Sequence, residues 1–231
     1  MGQTPAQKFF LPLHKFKINP IMENYQIEVT NRLLAINTIK IQPDRPFTWA
    51  SGWKAPIYCD NRKVLSYPET RTFICEQFTR IIREKYPEAE AIAGVATGAI
   101  AHGVLVAEAL GLPFIYVRSK PKGHGLENLI EGDIQPGTKT VIIEDLVSTG
   151  TSSLTAAEAV RNFGAEGLGM VAIFTYNFPH AAQNFNDAGI ELTTLSNYNL
   201  LLKLAHDTGE ISDKQLESLS NWRKDPENWG K

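Results

Sequence analysis

Cysteine is nearly missing from this sequence. Only Cys59 and Cys75 occur in 231 residues, and they do not stand in a metal-type pair. A disulfide framework and a cysteine-based metal site are therefore not expected, and reduced thiols in a cytoplasmic protein are the default. An excess of charge is missing too: 23 Lys and Arg against 25 Asp and Glu give a formal net charge of −2. No overall field exists to hold nucleic acid or an anionic membrane, so any anion site must be local. Long apolar runs are also missing. None reaches the roughly 18 residues of a membrane span. The Phe9–Leu13 stretch is too short, and too interrupted by Pro12, for a signal-peptide core. Met1-Gly2 opens like a myristoylation signal, but Ala6 stands where Ser or Thr is needed. No repeat and no low-complexity tract is visible.

What is present is ordinary globular material, 43% hydrophobic and 21% charged. A chain of this length can bury roughly 70–75% of its unfolded surface without staples. Residues 1–21, with Pro5, Pro12 and Pro20, read as an irregular arm, and Met22 reads as an alternative natural start. An amino-terminal unit is expected over 22–70. Ile27, Leu33, Leu34 and Ile36 suggest an amphipathic helix there, and Phe47 to Asp60 a hairpin. A helix with the stripe Phe73, Phe78, Ile81 and Ile82 follows and ends near Pro87. Between 71 and 205 apolar strands then alternate with helices. Strands are expected at Ala91–Val95, Phe114–Val117, Thr140–Ile143, Leu168–Phe174 and Ile190–Thr194. Helices fall between them at Ile100–Leu110, stopped by Gly111, from the 148–152 turn to Phe163, and at Ala181–Ala188. Nearly continuous apolar strands separated by helices imply an α/β fold with a parallel sheet covered on both faces. Two helices close the chain, with residues 206–231 as a helical extension.

Three segments carry chemistry. The sharpest is Val141-Ile142-Ile143-Glu144-Asp145-Leu146-Val147-Ser148-Thr149-Gly150-Thr151-Ser152. A buried strand ends in two carboxylates, a Ser-Thr-Gly turn follows, and a helix begins. Parallel sheets bind ligands beyond the carboxyl ends of their strands, and amides at a helix N-terminus suit a phosphate. Gly150 lets the backbone approach closely, and Thr149, Thr151 and Ser152 add hydroxyls. Like charges keep Glu144 and Asp145 from that phosphate. They can accept from ribose hydroxyls, or hold a magnesium ion through water. The second segment, Arg118 to Gly125 and on to Gly132, gathers Arg118, Lys120, Lys122 and His124 with several glycines directly after a strand. A glycine-rich cationic loop of this length suits a lid that closes over a diphosphate. The third segment, Phe47 to Asp60 with Arg62 beyond it, leaves Lys54 and Arg62 as partners for a carboxylate or phosphate. Gly94 to Ala99 either presents amides to a diphosphate or is a bare strand–turn–helix junction.

The 141–152 string resembles the signature of the type I phosphoribosyltransferases, with Glu144 in place of the more usual Asp. The pattern Arg118-x-x-x-Lys122-x-His124-Gly125 and the spacing of Ser51-Gly52, Pro56, Tyr58 and Asp60 resemble the orotate phosphoribosyltransferases in particular. The resemblance implies that fold with a small amino-terminal hood, and a reaction joining orotate to phosphoribosyl diphosphate with Mg2+. It also implies a homodimer whose lid reaches the neighbouring subunit's site. By the same resemblance, Ser148–Ser152 with Leu146 and Val147 grip the 5-phosphate, and the acidic pair holds the ribose hydroxyls. Arg118, Lys122 and His124 meet the diphosphate, Tyr58 and Cys59 flank the base, and Lys122, His124 and Asp145 serve catalysis. The chain departs from the pattern at Ser119, Ala50, Thr97 and the Phe174–Phe178 segment, where some members carry Lys or Arg. Backbone amides near Ser51-Gly52 and the Ser148 hydroxyl are the expected substitutes at the orotate carboxylate. His14, His102, His180 and His206 read as structural or surface residues. The competing readings are transfer to another base such as a purine, a non-catalytic ribose-phosphate or RNA-binding regulator, and a donor-synthesising kinase relative. The kinase reading lacks a nucleotide site.

Overall fold

The structure is a computed structural model that describes residues 24–49, 51–120 and 129–230. The 1–21 arm lies outside the described residues. A first helix, α1 (Asn24–Ala35), precedes a nested hairpin in which β1 (Ile39–Ile41) pairs with β4 (Ile57–Cys59). β2 (Phe47–Thr48) pairs with β3 (Lys54–Ala55) further out. The single hairpin expected from sequence is thus two short ladders, offset at Pro56, whose missing N–H interrupts pairing. A 3-10 turn over Asn61–Ser66 leads to α2 (Pro68–Lys85). Pro68 opens α2, where its lost amide has no helical partner in any case, and Thr70, Ile74, Phe78, Ile81 and Ile82 form the buried face.

The remaining elements are β5 (Ala91–Val95), α3 (Ile100–Leu110), β6 (Phe114–Val117), β7 (Ile130–Glu131), β8 (Lys139–Val147), α4 (Thr151–Asn162), β9 (Glu166–Thr175), α5 (Pro179–Asp187), β10 (Leu192–Asn197), α6 (Tyr198–Asp207) and α7 (Asp213–Lys224). They build a six-stranded sheet in the order β10-β9-β8-β5-β6-β7, parallel except for β7 against β6. Val141, Ile142 and Ile143 at its centre are fully buried, as a strand covered by helices on both faces requires. Gly111 ends α3 in the left-handed conformation at φ 68°, with its amide on the last carbonyls of the helix.

Strand β8 runs to Val147 rather than stopping at Ile143, because β9 keeps pairing with it to Thr175. The acidic pair therefore lies inside a strand, not after one. The short edge strand β7 has too little sequence to show a period. Boundaries expected at 70/71 and 205/206 fall inside α2 and α6, and one buried cluster runs from Val29 through the sheet to Trp222. Trp222, fully buried, donates its indole N–H to Lys54 O at 3.1 Å and packs edge-on against Trp49 at 5.5 Å. Helix α7 thereby holds the outer hairpin down on the sheet.

Candidate active site

Strands β5, β6 and β8 end on one edge. The registers Gly94↔Ile143, Gly94↔Tyr116 and Val95↔Val117 set Glu144, Val95 and Val117 at one level. Asp145, the Ala96–Ala99 turn and Arg118 come next. Residues far apart in sequence thus meet where a parallel sheet presents its ligand crevice.

The acidic pair divides its work. Glu144 is 4% exposed, with Oε1 accepting from Asp145 N at 2.9 Å and Oε2 from Ser153 Oγ at 2.8 Å. Burial, and then the neighbouring Asp145 charge, push the Glu144 carboxyl well above the usual carboxylate range. Asp145 is only partly buried, and burial raises its carboxyl too, while the Arg62 charge works against the rise. Of the two, Asp145 faces the crevice and Glu144 braces it. The Asp145 carboxylate lies against Gly98: a Cβ built there would stand 2.2 Å from Asp145 Oδ2. The Ala96–Thr97 peptide of that turn is cis.

After β8, Ser148 and Thr149 are half-buried, and Gly150 sits at φ 84° as the N-cap of α4 without a side-chain cap. The first-turn amides of α4 are thus not covered by a capping side chain, and Thr149 Oγ1 and Thr151 Oγ1 lie 3.2 Å apart beside them. Thr151 and Ser152 are exposed. By dipole and by donor count this helix start is able to hold an anion such as a phosphate. Val147 is fully buried and Leu146 packs on the core, so these two can offer only main-chain groups to a ligand.

Arg118 stands at the foot of the cationic loop, its amide donating to Leu129 O at 2.8 Å and its guanidinium 3.4 Å from Glu131 Oε1. An anion arriving at that cation would compete with Glu131 for it. Lys122 and His124 lie outside the described residues. Tyr58 is 38% exposed, with its ring 5.7 Å from Phe47. Cys59 points the opposite way, as alternation along a strand requires. Its thiol is buried, donates to Asn61 Oδ1 at 3.3 Å, and is raised by burial. Any contact of Cys59 with a base would run through its main chain. Lys54 donates to Thr48 Oγ1 at 2.9 Å, and Arg62 pairs with Asp60 at 2.7 Å.

No group of three or more Asp, Glu, His or Cys among the described residues forms a metal cage. A magnesium ion fits here only at the partly open Asp145 carboxylate, with substrate oxygens and water completing its shell. That is the ordinary habit of this ion.

Sequence reasoning passed over Asn61, Glu131 and Ser153, and read Gly98 only as part of a turn whose amides could meet a diphosphate. Asn61 is fully buried and donates through Nδ2 to Asp145 O at 2.6 Å, across 84 residues. His102 is also buried. Its ring Nε2 has no partner among the described residues. Burial lowers its pKa to about 4. As pH falls below about 6.5 the unfolded chain takes up a proton that the folded chain refuses until about 4. Stability should therefore drop across that window, by at most about 3 kcal/mol. Melting temperatures from pH 7 to 4.5 should fall less steeply for His102→Gln than for the parent, and parallel curves would refute the assignment. His180 stacks on Phe178 at 5.4 Å and His206 pairs with Asp213 at 2.7 Å, so both have partners in the described structure.

A partly open carboxylate beside an uncapped helix start, on the carboxyl edge of a parallel sheet, is an arrangement suited to a protein that handles sugar phosphates. Residues 69–190 match the phosphoribosyl transferase domain family. The chain is 59% identical over 202 residues to an orotate phosphoribosyltransferase of Porphyromonas gingivalis, covering 87% of this chain and 96% of that one. It is 56% identical over 208 residues to one from Bacteroides fragilis, covering 90% and 98%. In fold it is similar to the orotate phosphoribosyltransferase crystal structure from Aeropyrum pernix, with a TM-score of 0.70 at 22% identity over 80% of this chain and 99% of that one. The chain belongs to the phosphoribosyl transferase family, and within it to the orotate phosphoribosyltransferases.

Proposed function

We propose that the protein transfers 5-phosphoribose from phosphoribosyl diphosphate to orotate, releasing orotidine 5′-monophosphate and diphosphate. The observation that carries this reading is the junction of Asp145, Gly98 and the uncapped start of α4, in a chain 59% identical to a named orotate phosphoribosyltransferase. The amides and hydroxyls of Ser148–Ser152 anchor the 5-phosphate, which keeps the anomeric carbon aligned. Asp145 accepts from the ribose hydroxyls and lends negative charge beside a ring that turns cationic as the bond to diphosphate breaks. Arg118, Lys122 and His124 neutralise the departing diphosphate. Magnesium supplies further charge neutralisation when bound. Tyr58 and the main chain of Cys59 face the base, and Ser148 or the amides near Ser51-Gly52 meet its carboxylate.

Orotate consumption, followed spectrophotometrically with and without donor, tests the reading. Turnover of adenine, guanine, hypoxanthine or uracil in preference to orotate would overturn it. Lys122→Ala should lower turnover about tenfold to a hundredfold at saturating donor, the scale of one lost charge contact at a leaving group. An unchanged rate would remove the lid assignment.

The working unit is a homodimer in which each lid closes on its partner's site. Mixing Lys122→Ala and Asp145→Asn subunits should restore up to about a quarter of parental activity, since half of the randomly assorted dimers hold one intact site. No restoration would mean the lid serves its own subunit. The unpaired Cys59 and Cys75 thiols suit a reducing, cytoplasmic setting. No helix among the described residues is long and apolar enough to cross a membrane.

A further inference from the structure

Strand β8 outruns one neighbour. Against β5 the register ends at Ile143↔Gly94, whereas against β9 it continues to Val147↔Thr175. Past Ile143, β8 has a strand on one side only. A buried main-chain group left without a partner is costly. At Asp145 side chains meet both main-chain groups: Asp145 N donates to Glu144 Oε1 at 2.9 Å, and Asp145 O accepts from Asn61 Nδ2 at 2.6 Å. Asn61 thus ties down the main chain of the residue whose carboxylate lies against the Gly98 turn. The same side chain accepts the Cys59 thiol through Oδ1 at 3.3 Å. Two elements distant in sequence thus meet at one fully buried amide: the end of the amino-terminal hairpin and the acidic end of β8.

We infer that Asn61 is a positioning residue for this transfer, holding the Asp145 main chain so that its carboxylate meets the ribose, and fixing the hairpin relative to that carboxylate. The inference rests on the proposed function in taking Asp145 as the ribose acceptor. It goes beyond it in giving an active-site role to a residue that touches neither substrate. An asparagine suits the position because it offers a donor and an acceptor on one short planar group. An aspartate of the same size keeps the acceptor for Cys59 but sets an oxygen against the Asp145 carbonyl.

The test compares Asn61→Asp and Asn61→Ala with the parent enzyme. Thr30→Val removes a buried Thr30 Oγ1–Ser196 Oγ contact of 2.6 Å between α1 and β10, apart from the Asn61–Asp145 contact, and serves as a stability control. Both Asn61 variants should lower kcat/KM for phosphoribosyl diphosphate about tenfold to a hundredfold, and Asn61→Asp, which keeps the acceptor for Cys59, should move the orotate KM less than about threefold. They should also weaken calorimetric binding of ribose 5-phosphate about tenfold. Thr30→Val should lose melting temperature with unchanged kinetics. In the parent enzyme the Asn61 side-chain amide resonances should shift when ribose 5-phosphate is added, a readout independent of whether the variants fold. Parental donor kinetics in Asn61→Asp, or amide resonances that stay still, would overturn the inference while leaving the proposed function intact. A parent that ignores orotate would instead fail the functional reading, and ribose 5-phosphate binding would still decide the role of Asn61.

Discussion

Asp145→Asn should cut kcat/KM for phosphoribosyl diphosphate by about 10²–10³, with the protein no less stable than its parent. The two halves of that expectation share one cause. Asp145 is held in a site that strips water from it, so its carboxyl is raised above the usual range. A carboxyl whose folded pKa lies above its unfolded value of 3.8 favours folding only when protonated. Wherever it is charged, the fold bears the cost. Asparagine has the same shape and no charge, so that cost disappears, and Glu144 loses the neighbouring charge that helps to raise its own carboxyl. What is lost is the negative charge beside a ribose ring that becomes cationic, and one acceptor turned into a donor. Melting curves at pH 7.5 and steady-state kinetics check both halves. A variant that keeps parental kcat/KM, or that loses both activity and stability, would show that Asp145 is structural rather than substrate-facing.

Gly98→Ala should damage the same step by about 10², for a steric reason. The added Cβ would stand 2.2 Å from Asp145 Oδ2, 2.3 Å from Cγ and 2.6 Å from Oδ1. No rotation of a methyl group avoids all three atoms, so either the carboxylate turns away or the Ala96–Ala99 turn retreats. Both outcomes separate Asp145 from the position that Asn61 and Gly98 define. Because both substitutions remove one interaction, the pair Gly98→Ala with Asp145→Asn should be scarcely worse than Asp145→Asn alone. Fully additive losses in a double-mutant cycle would mean that Gly98 acts elsewhere. Gly111→Ala is the informative contrast: its φ of 68° makes the change strained, but open space surrounds the new atom. It should cost about 1 kcal/mol of stability and no activity.

Much of this architecture was legible in the chain itself. The apolar runs at 91–95, 114–117 and 140–143 had to be buried strands, and their separation by helical stretches made the sheet parallel. Gly111 fixed a helix end by local backbone preference alone. The Glu144–Ser152 string pointed to a sugar-phosphate site because strand end, turn glycine and helix start are contiguous, and the structure does bring those three together. The roles within the site were not legible. Neighbouring carboxylates look alike in sequence, yet Glu144 is spent on Ser153 and on its neighbour's amide, while Asp145 faces outward. Cys59 reads as a base-flanking residue, yet strand alternation turns its thiol into the core. Glu131 shows no signal because its link to Arg118 is made by a two-residue edge strand.

The order and type of elements, and a glycine turn between an acidic strand end and a helix start, were determined by the sequence, since periodicity and turn chemistry act over a few neighbouring residues. Which carboxylate is left partly open, and that Asn61 and Gly98 lie against that residue, was decided only by tertiary structure. Strand register and the point where β5 ends while β8 continues are set by packing across the whole sheet. No local pattern links residue 61 to residue 145.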